Sequence, residues 1–136
     1  MPTRLQRRRR LLPAALARAL LACCGTGPAL ALSDSFVTIA TGGTLTEILK
    51  DSVSLLLPVR PDDIRAVLKR LRVWSLLAGY RGAAPADIDA LVAAVMAIAS
   101  YVEATPQAVE VEVNPLLCGP RGAIAADALI RLGEQT

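Results

Sequence analysis

The chain has no histidine at all. That excludes an imidazole general base, a histidine metal ligand and a phosphohistidine within these residues. Aromatic residues are almost absent too, at 3% of the chain, although 54% of it is hydrophobic. Any core must therefore be built from Ala, Leu, Val and Ile. Cysteine is sparse: Cys23 and Cys24 are adjacent and Cys118 stands alone. This offers neither a disulfide framework nor a zinc-ligand spacing, and it reads as a chain for a reducing compartment. No Gly-Lys-Ser/Thr phosphate loop and no G-x-G-x-x-G stretch occurs. There is no internal repeat.

Charge is unevenly distributed. Residues 1–34 hold six Arg against the single acid Asp34, a net of +5, whereas residues 35–136 hold nine Lys or Arg against eleven acids, a net of −2. The basic character belongs to the leader. The remainder carries no basic stripe interleaved with aromatics, so nucleic acid is not an expected partner. With 136 residues there is room for one domain with a modest core.

The leader has a basic start, an apolar run and Ala29-Leu30-Ala31 as a cleavage-like site, with "LLAC" at 20–23 resembling a lipoprotein box. Pro13 and Arg18 interrupt the apolar run, and Gly25, Gly27 and Pro28 make a spanning helix poor. Three readings stay open: an export signal, a membrane anchor, or a disordered or artefactual tail joined to the domain that follows. The expected location is cytoplasmic, or exported if the leader is a true signal. No firm membrane association is expected.

From Phe36 onward the pattern is α+β. Phe36 to Ile39 is rich in strand formers and runs into the Gly42-Gly43 pair, and "TLTEILKD" then "SVSLLLPV" suggest one or two further strands. "PDDIRAVLKRLR" is predicted as one helix: Pro61, Asp62 and Asp63 suit its start, basic residues its end, and Ile64, Val67, Leu68 and Leu71 share a face. A helical turn and a Gly-marked loop follow. The longest helix is predicted over "ADIDALVAAVMAIASYVEA", with Ile88, Leu91, Val92, Val95, Ala99 and Val102 as its buried stripe and Met96 and Ile98 widening it. "QAVEVEVN" alternates, with Val109, Val111 and Val113 on one face and Glu110 and Glu112 on the other. "GAIAADALI" is predicted as its returning strand. The element order favours an antiparallel or mixed sheet with helices packed on one side.

Three polar residues stand at the ends of these apolar strands. Asn114 precedes Pro115 and is pushed toward extended geometry, Glu112 lies two residues back, and Asp127 lies across the "LLCGPRG" turn. A hairpin of this size can bring all three together. They are then either charged residues on a solvated sheet face or oxygen ligands converging on a cation, with Mg²⁺ the best match to carboxylate and amide donors. Gly42 and Gly43 form a second candidate feature, because bare backbone N–H groups can cradle an anion, though such a pair is also a plain turn. Glu47 and Asp51 follow it at a spacing of four. Arg81, between Gly79 and Gly82, is either an exposed loop residue or a phosphate or carboxylate clamp.

Taken together, "GGTLTEILKD", then "LLAGYRG" roughly thirty residues on, then "VEVNPLL" and a strand ending in Asp127, form an ordered pattern. It resembles the C-terminal part of the ATP-grasp domain of NDP-forming acyl-CoA synthetases, relatives of the succinyl-CoA synthetase β-subunit. The resemblance covers residues 35–134 and none of the leader. It implies a partial ATP-grasp fold and an acid–CoA ligase that couples an acyl-CoA, ADP and phosphate to the acid, CoA and ATP. It implies Mg²⁺ and ATP or ADP as cofactors. Asn114 and Asp127 match metal-ligand positions, and Glu112 matches an acidic position at the phosphoryl-transfer site. Gly42, Gly43 and Glu47 match the nucleotide-contacting Gly-Gly and Glu motif, with Arg81 assigned to the same group. The family's other ATP-grasp lobe, its phosphohistidine and its CoA-binding domain have no counterpart in this sequence. The resemblance therefore implies a fragment inactive alone; the alternatives are a non-catalytic module completed by the missing lobe and CoA-binding domain on another chain, and a small exported α+β protein. Leu129 stands where many relatives place an Arg.

Overall fold

The computed structural model describes residues 21–25, 35–42 and 50–133. Seven strands and three helices are present among them. In chain order they are β1 (Leu21–Gly25), β2 (Phe36–Ala40), β3 (Ser52–Leu56), α1 (Pro61–Leu68), α2 (Trp74–Leu77), α3 (Ile88–Ala104), β4 (Ala108–Val113), β5 (Leu116–Gly119), β6 (Gly122–Ala125) and β7 (Ala128–Leu132). Five strands form one sheet in the order β3-β2-β1-β4-β7, and β5 and β6 form a separate two-stranded ribbon. Every neighbouring pair is antiparallel.

Alternation along the strands sorts the sheet into two faces. Val37 and Ile39 of β2 and Val111 and Val113 of β4 are buried, and they join the same core as Ile64, Leu68, Leu77, Leu91 and Val95 of the helices. The helices thus cover one face, as the sequence predicts. The other face is mixed, carrying exposed Leu56 and Leu129 beside polar pairs: Thr38 and Ser54, opposite each other on β2 and β3, share a 2.7 Å hydroxyl hydrogen bond. Arg131 pairs with Glu110 across β4 and β7 at 3.1 Å.

The long helix follows most of its stripe: Leu91, Val92, Val95, Ala99 and Val102 are buried, whereas Ile88, Met96 and Ile98 are only half-buried against the same core. Asp87 caps it, accepting the Ala90 N–H at 2.9 Å. The preceding helix is shorter than the sequence suggests. α1 begins where Pro61 and Asp63 place it, with Asp63 accepting from the Arg60 backbone N–H at 3.1 Å. It stops at Leu68, and Arg70 N–H to Val67 and Leu71 N–H to Leu68 continue it as tight i to i+3 turns. The reason is that both Leu71 and Val73 are buried. On a continued α-helix two residues that far apart point about 200° from each other.

Two strand expectations are corrected. β4 does not alternate throughout, because an irregularity between Ala108 and Glu110 lets Ala108 and Val111 both face the core. "GAIAADALI" is not one returning strand. β6 pairs back on β5, and only β7 returns along β4. The leader also enters the sheet, which its composition does not announce: β1 lies within residues 1–34 and pairs with both β2 and β4. Among the described residues no helix is long and apolar enough to cross a membrane.

Candidate functional site

Strand register decides which residues can meet. β2 and β4 run the same way with β1 between them, and Ile39, Ala22 and Val113 occupy one row. The chain therefore leaves β2 through Thr41 and Gly42, and leaves β4 through Asn114, at the same end of the sheet. β7 begins at that end with Ala128 opposite Val113, which puts Asp127 there as well. β3 begins there too, with Ser52 opposite Ala40, which adds Asp51.

At this end Glu112, Asn114 and Asp127 are brought together. The Asn114 backbone N–H donates to the Asp127 carbonyl at 3.1 Å, and Asn114 Nδ2 donates to Glu112 Oε1 at 3.3 Å. Asp127 Oδ1 accepts the Ala128 N–H at 2.8 Å. The β5–β6 ribbon is an excursion whose base is closed by Ala126 N–H to the Pro115 carbonyl at 2.9 Å. Its closure is what returns Asp127 to Asn114. The meeting is therefore made by a short double bond-up at the ribbon's base, and not by one long hairpin. Asn114 and Asp127 are exposed and Glu112 is half-buried.

The donor set suits a hard cation that keeps other ligands. With Nδ2 turned to Glu112, the Asn114 Oδ1 is left to accept, and Asp127 retains Oδ2. Mg²⁺ is held in this manner, through one or two carboxylates with phosphates and waters completing the octahedron. Among the described residues no three His, Cys, Asp or Glu side chains cluster for a metal.

Gly42 is buried just beyond the end of β2. Gly43 and Glu47 lie outside the described residues. Arg81 sits in the α2–α3 loop with positive φ (51°), its guanidinium 5.1 Å from the centroid of the Tyr80 ring. It forms no hydrogen bond or ion pair with Glu112, Asn114 or Asp127. The structure thus joins three of the predicted site residues by hydrogen bonds, and Arg81 is not bonded to them. The loop itself is fixed by Gly79, whose φ is +96° and whose added Cβ would lie 2.7 Å from the Ala83 carbonyl oxygen.

Asp51 is the residue whose role the sequence does not disclose. Its Oδ2 accepts the Thr41 hydroxyl at 2.7 Å and the Val73 N–H at 3.2 Å, and its carbonyl accepts the Thr41 N–H at 2.9 Å. Burial works against its charge. Hydrogen bonds from Thr41, Arg72 and Val73 and the nearby Arg72 charge outweigh that and hold its carboxyl below the usual carboxylate value. It ties the segment entering Gly42 to the helix layer. The only hint in the sequence is that a Thr precedes the Gly pair and an Asp follows it.

A family model for the ATP-grasp domain matches residues 35–132. The chain belongs to the ATP-grasp domain family. Curated ATP-grasp relatives include the beta subunit of ADP-forming acetate–CoA ligase I from Pyrococcus furiosus, 30% identical over 92 residues, covering 68% of this chain and 40% of the subunit. ADP-forming acetate–CoA ligase II from Archaeoglobus fulgidus is 34% identical over 101 residues, covering 74% of this chain and 15% of that protein. A solved acetyl-coenzyme A synthetase from Ca. Korarchaeum cryptofilum, in complex with coenzyme A and Mg-AMPPCP, superposes with a TM-score of 0.76 at 25% identity. That match covers 85% of this chain and 53% of the other. The fold is a partial ATP-grasp fold, and the chain corresponds to part of the ATP-grasp domain of NDP-forming acyl-CoA synthetases. It spans less than half the length of the curated relatives described above.

Proposed function

We propose that this chain contributes the Mg²⁺–nucleotide phosphate side of an ATP-grasp site that joins an acid to CoA at the expense of ATP. The observation that carries the reading is the meeting of Glu112, Asn114 and Asp127 at one sheet end, on strand termini that face solvent. Asn114 and Asp127 would hold the cation through Oδ1 and Oδ2. The cation supplies charge neutralisation for the phosphates, which is most of what phosphoryl transfer requires of its surroundings. Glu112 is assigned the acidic position at the transferring phosphoryl group, steadied by Asn114 Nδ2. Gly42 and Gly43 are assigned backbone contacts to the nucleotide, with Glu47 and Arg81 in the same group. The chain acts with a second ATP-grasp lobe and a CoA-binding domain supplied elsewhere. The exposed apolar side chains Leu129, Ile130 and Leu132 on the edge strand β7 support such a partner, since free edges of this kind invite pairing.

Isothermal titration of MgADP into the full chain tests the assignment. Contacts to charged groups contribute roughly 1.5–3 kcal/mol. Asp127→Ala should therefore weaken binding by about ten- to a hundredfold. The control Asp89→Ala, an exposed residue paired with Arg65 on the helix layer, should not. Equal affinity of the Asp127→Ala variant and the unaltered chain would remove Asp127 from the site.

A further inference from the structure

The ladder between the two halves of the candidate site runs through β1. On one side the β2–β3 ribbon carries Thr41, Gly42 and Asp51. On the other the β4–β7 ribbon carries Glu112, Asn114 and Asp127. β2 and β4 are not neighbours in the sheet. They are bridged by Leu21–Gly25, which pairs with β2 from Leu21↔Ala40 to Gly25↔Phe36 and with β4 from Ala22↔Val113 to Gly25↔Glu110. Two strand spacings separate β2 from β4, about 10 Å. Without β1 the sheet is two two-stranded ribbons with no hydrogen bonds between them, joined only through the helix layer that both pack against. A one-residue slip of β1 would also reverse the face that each residue presents. Yet β1 lies outside the segment that matches the ATP-grasp family, which begins at residue 35.

We infer that Leu21–Gly25 is a positioning strand of the candidate site: it sets the spacing and register of the Gly42 half against the Asn114 and Asp127 half, and the folded unit begins upstream of residue 35. The positional role rests on the function proposed above; the structural role does not. A cut after Ala31, where the leader resembles an export signal, would sever β1 from the chain that follows it. The leader's five strand residues are then needed by the fold, whatever the rest of the leader does.

Hydrogen–deuterium exchange on the full chain, read by mass spectrometry, decides the structural part. Amides of residues 21–25 should be protected to the same degree as those of residues 36–40. Complete exchange of residues 21–25 at the first time point would overturn the inference. Ala22→Pro removes a ladder hydrogen bond in the row that holds Ile39 and Val113. It should raise exchange in both residues 36–40 and residues 108–113, whereas Asp89→Ala, an exposed change on α3, should leave both unchanged. Native exchange in β2 and β4 of the Ala22→Pro variant would contradict the bridging role. The positional part is read from MgADP affinity at a temperature where the variants remain folded. Ala22→Pro should lose at least about tenfold in affinity, while Val102→Ala, a core change on α3, should keep it. Equal affinities in these two variants would reduce β1 to a structural strand. If the unaltered chain fails to bind MgADP, the proposed function falls, and the exchange of residues 21–25 still decides whether β1 belongs to the fold.

Discussion

Asp51 joins three segments through one carboxylate. Thr41 comes from the end of β2, Asp51 from the start of β3, and Val73 from the turn between α1 and α2. Because its folded pKa is depressed, its contribution to stability is present above the unfolded carboxylate value and is lost as pH falls through the folded one. Losing these bonds should cost roughly 1–3 kcal/mol near neutral pH. Urea unfolding of Asp51→Asn and the unaltered chain should thus give stabilities that differ at pH 7 and converge below about pH 4. A difference that stays constant across that range would show that the charge is not what stabilises the junction. Gly79 makes a second residue-level case. Gly79→Ala should destabilise by more than about 1 kcal/mol, because it meets both an unfavourable φ and the Ala83 carbonyl. A melting temperature unchanged by this substitution would contradict the loop geometry. The role of Asp51 is not visible in the sequence, since hydrogen bonds between residues 10 and 22 positions apart leave no periodic trace.

Single elements divide into those with a complete local signature and those set by neighbours. α3 is legible because five apolar residues at helical spacing, an Asp cap and a long uninterrupted run all agree. Leu91 is wholly buried near its N-terminal end. Leu91→Ala should cost about 2–5 kcal/mol, read by chemical denaturation, and a loss under about 1 kcal/mol would place Leu91 outside the core. α1 carries an equally clear start but its end is decided by Val73, which the tertiary fold draws inward. β4 reads as a clean alternation, yet Ala108 is small enough to be pulled to the core, and the irregularity before Glu110 follows. The β5–β6 ribbon was hidden for a different reason. "LLCG" and "GAIA" are short apolar stretches around a Pro-Arg turn, and nothing local says whether the second continues or breaks before Asp127. The break is made by Ala126 and Asp127 bonding back to Pro115 and Asn114.

For the molecule as a whole, the ordered motifs point correctly to a partial ATP-grasp fold with helices on one sheet face. They also anticipate the meeting of Glu112, Asn114 and Asp127, although through a simpler hairpin than the one that forms. The contribution of the leader to the sheet was not legible, because "LACCG" sits in a stretch with the composition of a signal, and its pairing with β2 and β4 joins residues far apart in the chain. The function proposed for the molecule depends on where a metal–nucleotide would bind, and paramagnetic broadening measures that directly. Mn²⁺ with ADP, titrated into the ¹⁵N-labelled full chain, should broaden the amides of residues 42, 112–114 and 127–128 first. Broadening that begins elsewhere, or leaves these amides sharp while other signals vanish, would contradict a metal–nucleotide site at this end of the sheet.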